Sequence, residues 1–593
     1  MTVEKLITDH IDIWSSALQT RSTAGRGSNG KIDLYGIKKL RELILELAVR
    51  GKLVPQDPND EPASELLKRI ATEKAELVKQ GKIKKQKPLP KISEDEKPFE
   101  LPEGWEWARL GSAVAIIRGI TFPASEKHKE PSEGKVACLR TANVQDSIEW
   151  DDLLYVSESF VKRSEQFAEK GDIVMSMANS RELVGKVAYI YNIPTGSATF
   201  GGFLSVIRPY GFNAAFLMSV LRSPNIKSTL IDSSSQTTNI ANISLEKLNP
   251  LVISVPPIGE QNRIASKVEE LMSLCDQLEQ QSLTSLDAHQ QLVETLLATL
   301  TESQNAEELA ENWARISQYF DTLFTTEASI DALKQTILQL AVMGKLVSQD
   351  PNDEPASELI KRIEQEKAKL VKEGKIKKQK PLPPISEDEK PFELPKGWEW
   401  CRLAALVAIK GGKRVSNGYK LLSEPTPYVY IRVADMKDGT IDLSDLKYID
   451  EEMHQKIKNY IITKDDIYMT IVGATIGKCG TVPELLDGMN LTENAARLIP
   501  SKLISKDYLY LCLKSDLCQG QFIDKTMQVG VQKMALNRLA NTLIALPPTN
   551  ESLRIRDIVK KMNNLCSKLA YGIIESQQTQ LHLADALTDA ALN

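Results

Sequence analysis

The chain repeats itself at long range, and that repeat constrains its fold more than any other feature. Residues 44–110 align without a gap on residues 337–403, and 56 of the 67 positions are identical. QDPNDEPASEL stands at 56–66 and 349–359, KIKKQKPLP at 82–90 and 375–383, and ISEDEKPFELP at 92–102 and 385–395. Each copy closes on paired tryptophans, LPEGWEW (101–107) and LPKGWEW (394–400). Upstream the repeat fades, although Trp14 has a counterpart in Trp313. A step from residue 44 to residue 337 is far too long for a solenoid unit, so the duplicated object is a large module.

Past each copy the similarity drops to a skeleton. GDIVMS (171–176) matches DDIYMT (465–470), Gly185-Lys186 matches Gly477-Lys478, and LEKLNPLVISVPP (245–257) matches LNRLANTLIALPP (536–548). Near-identical arms should share one task, and divergent blocks on one skeleton should perform two versions of another.

The arms read as helical. Apolar residues at 37, 40, 43, 44, 47 and 48 keep a helical period over 36–50, with Gly51 as a C-cap. A second amphipathic helix spans 62–80 and stops at Gly81. The following KIKKQKPLPKISEDEKPFELP, rich in proline and charge blocks, reads as an extended arm rather than a packed element. The blocks 104–257 and 397–548 carry β-branched runs such as VAIIRGITF, DIVMSM, YVYIRVAD and NTLIAL between Gly, Asn and Pro. Each fits one α/β or α+β domain. Residues 258–300 read as one long helix, with Ile264, Val268, Leu271, Cys275 and Leu278 in 4-3 spacing, continued by Leu286, Val293 and Leu300. Ile555, Val559, Met562, Cys566 and Leu569 mirror that seam near the C-terminus, so the two helices are expected to pack on each other.

Six segments follow: a helical arm and linker (1–103), a first domain (104–257), a long helix (258–300), a second arm and linker (301–396), a second domain (397–548) and a last helix (549–593).

Catalytic motifs are weak. GRGSNGK (25–31) approaches a phosphate loop, but Ile32 replaces the metal-binding hydroxyl and a helix precedes it, so it reads as a flexible loop. Asp95-Glu96-Lys97, repeated at 388–390, has a nuclease-like order but lies in the linker and reads as a solvated charge run. Seven scattered cysteines without CxxC spacing point to free thiols in a reducing compartment and against a zinc site. No apolar run reaches the roughly 18 residues of a membrane helix, and the start MTVEKLITDHIDIW lacks a signal pattern, so a cytoplasmic location is expected. The tryptophans 105, 107, 398 and 400 read as packing anchors at the domain entrances.

The divergent blocks instead offer polar loops: RGITFPASEKHK (118–129), MANSREL (177–183) and SSSQTTN (233–239) in the first, KGGKRVSNGYK (410–420), TIVGATIGK (470–478) and MQVGVQK (527–533) in the second. Arg, Lys, Asn, Gln, Ser and Thr are the side chains that read base edges and hold phosphates. Charge does not decide the matter, with 15 basic and 15 acidic residues in the first block and 19 and 17 in the second.

This order of arm, variable domain and helix, given twice, resembles the specificity subunit of type I restriction–modification enzymes. The motifs LPEGWEW / LPKGWEW, GDIVMS…GK / DDIYMT…GK and LVISVPPIGEQNRI / LIALPPTNESLRI carry the resemblance, which covers nearly the whole chain. The second exit has Glu551-Ser552 where the family has Glu-Gln, which should trim a helix-start contact. The resemblance implies a non-catalytic chain with two target recognition domains, each reading half of a bipartite, asymmetric duplex DNA site. The long helices would form an antiparallel coiled-coil spacer. A helix of about 25 residues spans about 38 Å, near one turn of duplex. The arms would dock two methyltransferase subunits, and restriction/translocase subunits would complete the enzyme. No cofactor is expected in this chain; S-adenosylmethionine, ATP and magnesium would belong to the partners. By position within the aligned loops, the DNA-facing candidates are Arg118, Asn179, Arg181, Gln236, Thr237 and Thr238, then Lys413, Arg414, Asn417, Gln532 and Lys533, with Val529–Lys533 placed opposite the 236–238 loop. The rival readings are an adaptor scaffold that never touches DNA and a self-sufficient nuclease or methyltransferase.

Overall fold

The computed structural model describes residues 3–21, 31–81, 83, 85–181, 183–237, 240–373, 381–522 and 532–592. Eight helices organise them: α1 (Tyr35–Val49), α2 (Ala63–Lys79), α3 (Ala214–Arg222), α4 (Ile258–Glu302), α5 (Glu327–Val342), α6 (Ala356–Lys372), α7 (Lys506–Lys514) and α8 (Thr549–Leu592). The chain divides into two compact units: Met1–Arg21, Lys31–Thr284 and Gln577–Asn593 in one, Ser22–Gly30 and Ser285–Ser576 in the other.

In the first unit, all six apolar positions of the periodic stretch on α1 are buried, from Ile37 to Ala48. The helix ends at Gly51, whose φ of 68° suits glycine. A Cβ there would also come within 2.5 Å of Pro102, so the turn needs glycine on two counts, and Gly344 repeats both conditions against Pro395. The first domain holds a four-stranded antiparallel sheet ordered Val114–Arg118, Leu204–Pro209, Ile173–Ser176 and Val187–Tyr189. Beside it, Lys135–Leu139 pairs in parallel with Ala198–Phe200 and antiparallel with Leu154–Ser157. The incoming strand Glu106–Arg109 pairs with the outgoing strand Val252–Val255.

The second unit repeats the plan. Its sheet runs Val407–Gly411, Ala495–Pro500, Ile467–Thr470 and Cys479–Thr481, and its incoming strand Glu399–Arg402 pairs with Leu543–Leu546. Both domains are mixed α and β, as the β-branched runs imply.

The long helices are 45 and 44 residues. Ile264, Val268, Leu271, Cys275, Leu278, Val293 and Leu300 of the expected α4 seam are buried, and Leu286 is half-buried. In the second unit, the late α4 residues Val293, Leu297 and Leu300 share one core with Ile330 and Leu333 of α5 and with Ile555, Val559 and Cys566 of early α8. The end of α4 and the start of α8 thus contribute to one core. In the first unit, Arg41 of α1 bridges Asp276 and Glu279 of α4, both at 2.6 Å, while Tyr35 donates to Asp585 of α8 at 2.7 Å.

The linker departs from expectation, because it is not a free extended arm. Glu94–Glu96 forms a short 3-10 turn closed by a Ser93/Glu96 capping box. Arg109, 7% exposed, grips that turn with bonds of 2.6 and 2.8 Å to Glu96. It also donates to the carbonyls of Pro90 (3.1 Å), Lys91 (2.9 Å) and Pro250 (2.7 Å). The bonds from Arg109, with those from the Ser93 amide and hydroxyl, hold the Glu96 carboxyl down to about 2. Glu96 is therefore held in a clasp, while Glu94 and Asp95 stay exposed, as a solvated charge run implies. Arg402 and Glu389 repeat it at 2.9 and 3.0 Å. Phe99 packs on Trp107 and Phe392 on Trp400, with centroids 5.0 Å apart in each pair.

Candidate nucleic-acid interface

The register of each four-stranded sheet decides which loops meet. In the first domain Ser205 lies opposite both Arg118 and Met175, so the end of strand 114–118, the start of strand 204–209 and the end of strand 173–176 form one sheet edge. The backbone then continues from Met177, whose amide bonds the Phe203 carbonyl at 2.8 Å, into Ala178–Asn179. That short strand carries a small second sheet: Asn179 pairs with Ala241, and Ala241 pairs with Gln236 on Ser235–Thr237. Asn179 and Gln236 thus occupy one cross-strand row, about 10 Å apart at two strand spacings. Arg118 and Arg181 are exposed and Asn179 is half-buried. The loops carrying five of the six first-domain candidates therefore converge on one end of the sheet. Thr238 lies outside the described residues.

The second domain builds the same edge. Gly411 lies opposite Ala496, and Thr470 opposite Ala495. The Gly412 amide bonds the Ala495 carbonyl (3.0 Å), and the Lys413 amide bonds Leu491 (2.9 Å), which turns the chain out into an exposed loop bearing Lys413, Arg414 and Asn417. A Cβ at Gly412 would lie 2.1 Å from the Thr492 carbonyl oxygen, so this close approach of backbones needs glycine. Val472 bridges to Lys533, and the Gly473 amide bonds the Gln532 carbonyl at 2.9 Å. Lys533 is exposed and Gln532 half-buried; Val529, Gly530 and Val531 lie outside the described residues.

These bonds correct one correspondence. The Met534 amide bonds the Ile471 carbonyl as the Ile243 amide bonds Met177, each at 2.8 Å. Gln532 and Lys533 are therefore equivalent to Ala241 and Asn242 on the returning strand, and not to Gln236 and Thr237 on the outgoing one. The loops differ in length, and only the backbone pairing reveals the shift.

Two residues at this edge escaped the sequence reading. Phe203 is 70% exposed in the turn that precedes strand 204–209. Nothing in the string FGGFLSV separates it from a core phenylalanine. Its equivalent, by the matching bond from the Ile471 amide to the Asn494 carbonyl (2.9 Å), is Asn494. Beside that residue, Glu493 accepts from Arg414 Nε at 2.5 Å and from Thr492 Oγ1 at 3.1 Å. Burial alone would raise the Glu493 carboxyl, but the bonds to Arg414 and Thr492 outweigh it and hold the group below its ordinary range. Lys413 Nζ sits 5.7 Å from the centre of the Tyr460 ring.

Much of the frame behind this edge recurs in both halves. Gln56 and Trp105 donate to Glu260 in the first turn of α4, at 3.2 and 2.9 Å, and Arg263 bonds Asp60 at 2.7 Å. Gln349 donates to Glu551 at 3.1 Å and Arg554 bonds Asp353 at 2.6 Å. Burial raises both glutamates, Glu260 and Glu551. Gln261 ties α4 to the Asn213 amide at the start of α3 (2.9 Å), whereas Ser552 turns back to the Thr549 carbonyl (2.6 Å), so the substitution does shorten that helix-start contact. Among the described residues no group of three or more His, Cys, Asp or Glu side chains is arranged to hold a metal ion. No helix there is long and apolar enough to cross a membrane. GRGSNGK lies outside the described residues apart from Lys31.

Comparison with known proteins identifies relatives of this chain. The family described as "Type I restriction modification DNA specificity domain" matches residues 102–288 and again 395–576. The chain is 51% identical to the type I restriction enzyme EcoAI specificity subunit of Escherichia coli, over 100% of both chains. It is also 51% identical to the EcoEI specificity subunit of Escherichia coli, again over 100% of both. A chain from the solved structure "Structural basis underlying complex assembly and conformational transition of the type I R-M system" is 17% identical, with 84% of this chain and 99% of that one covered and a TM-score of 0.46.

Proposed function

This chain belongs to the family of type I restriction–modification specificity subunits, and from that premise we propose that each of its two recognition domains reads one half of a bipartite, asymmetric duplex site. The observation that carries the reading is the pair of equivalent sheet edges. One backbone plan is kept, and the side chains at its end are changed from exposed Arg118, Arg181 and Phe203 with half-buried Asn179 to exposed Lys413, Arg414, Asn417 and Lys533. Gln236 and Thr237 share the first edge by register. Such residues supply base-edge and phosphate contacts in the major groove. An adaptor that never touches DNA has no use for two domains that keep one sheet plan and change the side chains at its exposed end.

The chain itself performs no chemistry in this reading. Two methyltransferase subunits dock on the arms, restriction/translocase subunits complete the cytoplasmic complex, and S-adenosylmethionine, ATP and magnesium act in those partners. The docking role is supported by exposed charges that the arms share. Lys68–Glu65 and Lys361–Glu358 form the same pair at 2.7 and 2.6 Å, and Arg69–Glu61 has its twin in Arg362–Glu354. Exposed pairs of this kind contribute little to stability, so a common partner is the better account of their identity. The test is replacement of residues 104–257 by the corresponding domain of another family member, followed by mapping of methylated adenines in a genome carrying the whole system. One half of the methylated sequence should change and the other should stay. Change in both halves, or in neither, would refute two independent readers.

A further inference from the structure

We propose that Glu493 is a positioning residue that aims the Arg414 guanidinium at a guanine in the half-site read by the second domain. The proposal rests on the DNA-reading role above. Arg414 is 74% exposed, yet its Nε is held at 2.5 Å by Glu493, which is only 25% exposed. Glu493 is fixed in turn from the protein side: its Oε2 accepts from Thr492 Oγ1 at 3.1 Å and lies 3.3 Å from Tyr430 Oη. Tyr430 Oη donates to the Lys413 carbonyl at 2.9 Å, so the same ring braces the residue before Arg414. A guanidinium offers five N–H groups in a rigid fork. Anchoring it through Nε leaves the two terminal nitrogens for the ligand, and their spacing matches O6 and N7 of guanine.

Stability does not explain the pair. The first domain builds the same turn without it, with Thr121 and Gly202 in the two places and the methyl of Thr121 only 2.9 Å from where a Gly202 Cβ would stand. The backbone bonds are matched, Ile120 to Phe200 at 2.8 Å and Lys413 to Leu491 at 2.9 Å. The ion pair therefore belongs to what distinguishes the two domains. Holding a long side chain in place before binding also reduces the entropy lost when it meets DNA.

The test uses the assembled complex with its methyltransferase partner, scored by methylated-adenine mapping and by binding to duplexes varied at each base. Arg414→Lys should weaken discrimination at one guanine of the second domain's half-site by about 10- to 100-fold and leave every other letter intact. Arg414→Gln should shift that position toward adenine. Glu493→Ala should loosen the same position by about 2- to 10-fold, Glu493→Gln should retain most of the discrimination, and Glu493→Ala should add nothing on the Arg414→Lys background. Uniformly weaker binding with all letters unchanged would make Arg414 a phosphate contact and overturn the proposal while DNA reading stands. A lower melting temperature in Glu493→Ala, with that position unaltered, would reduce Glu493 to a structural role and overturn it too. If exchange of a whole domain also changed no letter, the reading beneath the proposal would be the one to fail.

Discussion

Replacing Arg109 by Met should unfasten the linker from the first domain without touching the residues assigned to DNA. The guanidinium is 7% exposed and serves Glu96 and three carbonyls, those of Pro90, Lys91 and Pro250. Bonds from a charged donor are each worth about 1.5–3 kcal/mol, but they overlap when one group makes them all. Methionine fills the apolar part of the space, and Glu96 can turn to water. The net loss should therefore be about 3 kcal/mol, the worth of one or two such bonds, because Glu96 is itself exposed. In a unit of this size each kcal/mol is worth about 2–4 °C, so the first unit should melt roughly 10 °C lower. Calorimetry of the purified chain measures this, and trypsin should cut sooner after Lys91, which Ile92 follows. Acid makes an independent check. The Glu96 carboxyl sits below its unfolded value, so its contribution is complete above about pH 4.5 and is lost as pH falls through about 2. Arg109→Met should reduce that part of the acid sensitivity, leaving the share that the Ser93 bonds supply. A drop of less than 2 °C, or unchanged acid sensitivity, would show that the clasp is ornamental.

Two further outcomes follow from the same structure. Inserting about four residues, one helical turn, within 258–300 should change the gap between the half-sites while their letters persist; an unchanged gap in the methylation map would remove the spacer role. Phe203→Ala should alter or weaken a position in the first half-site only, by about tenfold if the ring meets a thymine methyl, and duplexes varied base by base would show whether the second half-site is affected instead.

Elements with strong periodicity were legible from sequence. The helix at 36–50, the seam residues Ile264 to Leu278 and the strand runs at 173–176 and 467–470 all appear where pattern placed them. The linker was not legible, because its order depends on Arg109 and Arg402, which follow it in sequence and whose burial no local pattern reports. The candidate loops could be picked by polarity, but their equivalence could not. Gln532 and Lys533 were set against Gln236–Thr238 by position in the alignment, while the backbone pairs them with Ala241 and Asn242. Phe203 and Glu493 were missed for a related reason: an exposed aromatic and a half-buried carboxylate look like their commoner opposites until a turn places them. The near-identity of the arms also had a second cause that counting matches could not separate. Gln56, Asp60, Lys74, Glu96, Trp105 and Arg109 spend their side chains on this chain's own frame, Lys74 for example donating to the carbonyls of Gly111 and Val114 at 2.6 and 2.9 Å.

The pairing of incoming with outgoing strand has an evolutionary meaning. Glu106–Arg109 lies beside Val252–Val255, and Glu399–Arg402 beside Leu543–Leu546, so each domain leaves the frame and returns to it across a single strand spacing of about 5 Å. A cassette with its two ends that close together can be exchanged by recombination without moving anything outside it. New specificities can then arise one half-site at a time, with the frame and the surfaces it offers to other subunits inherited unchanged.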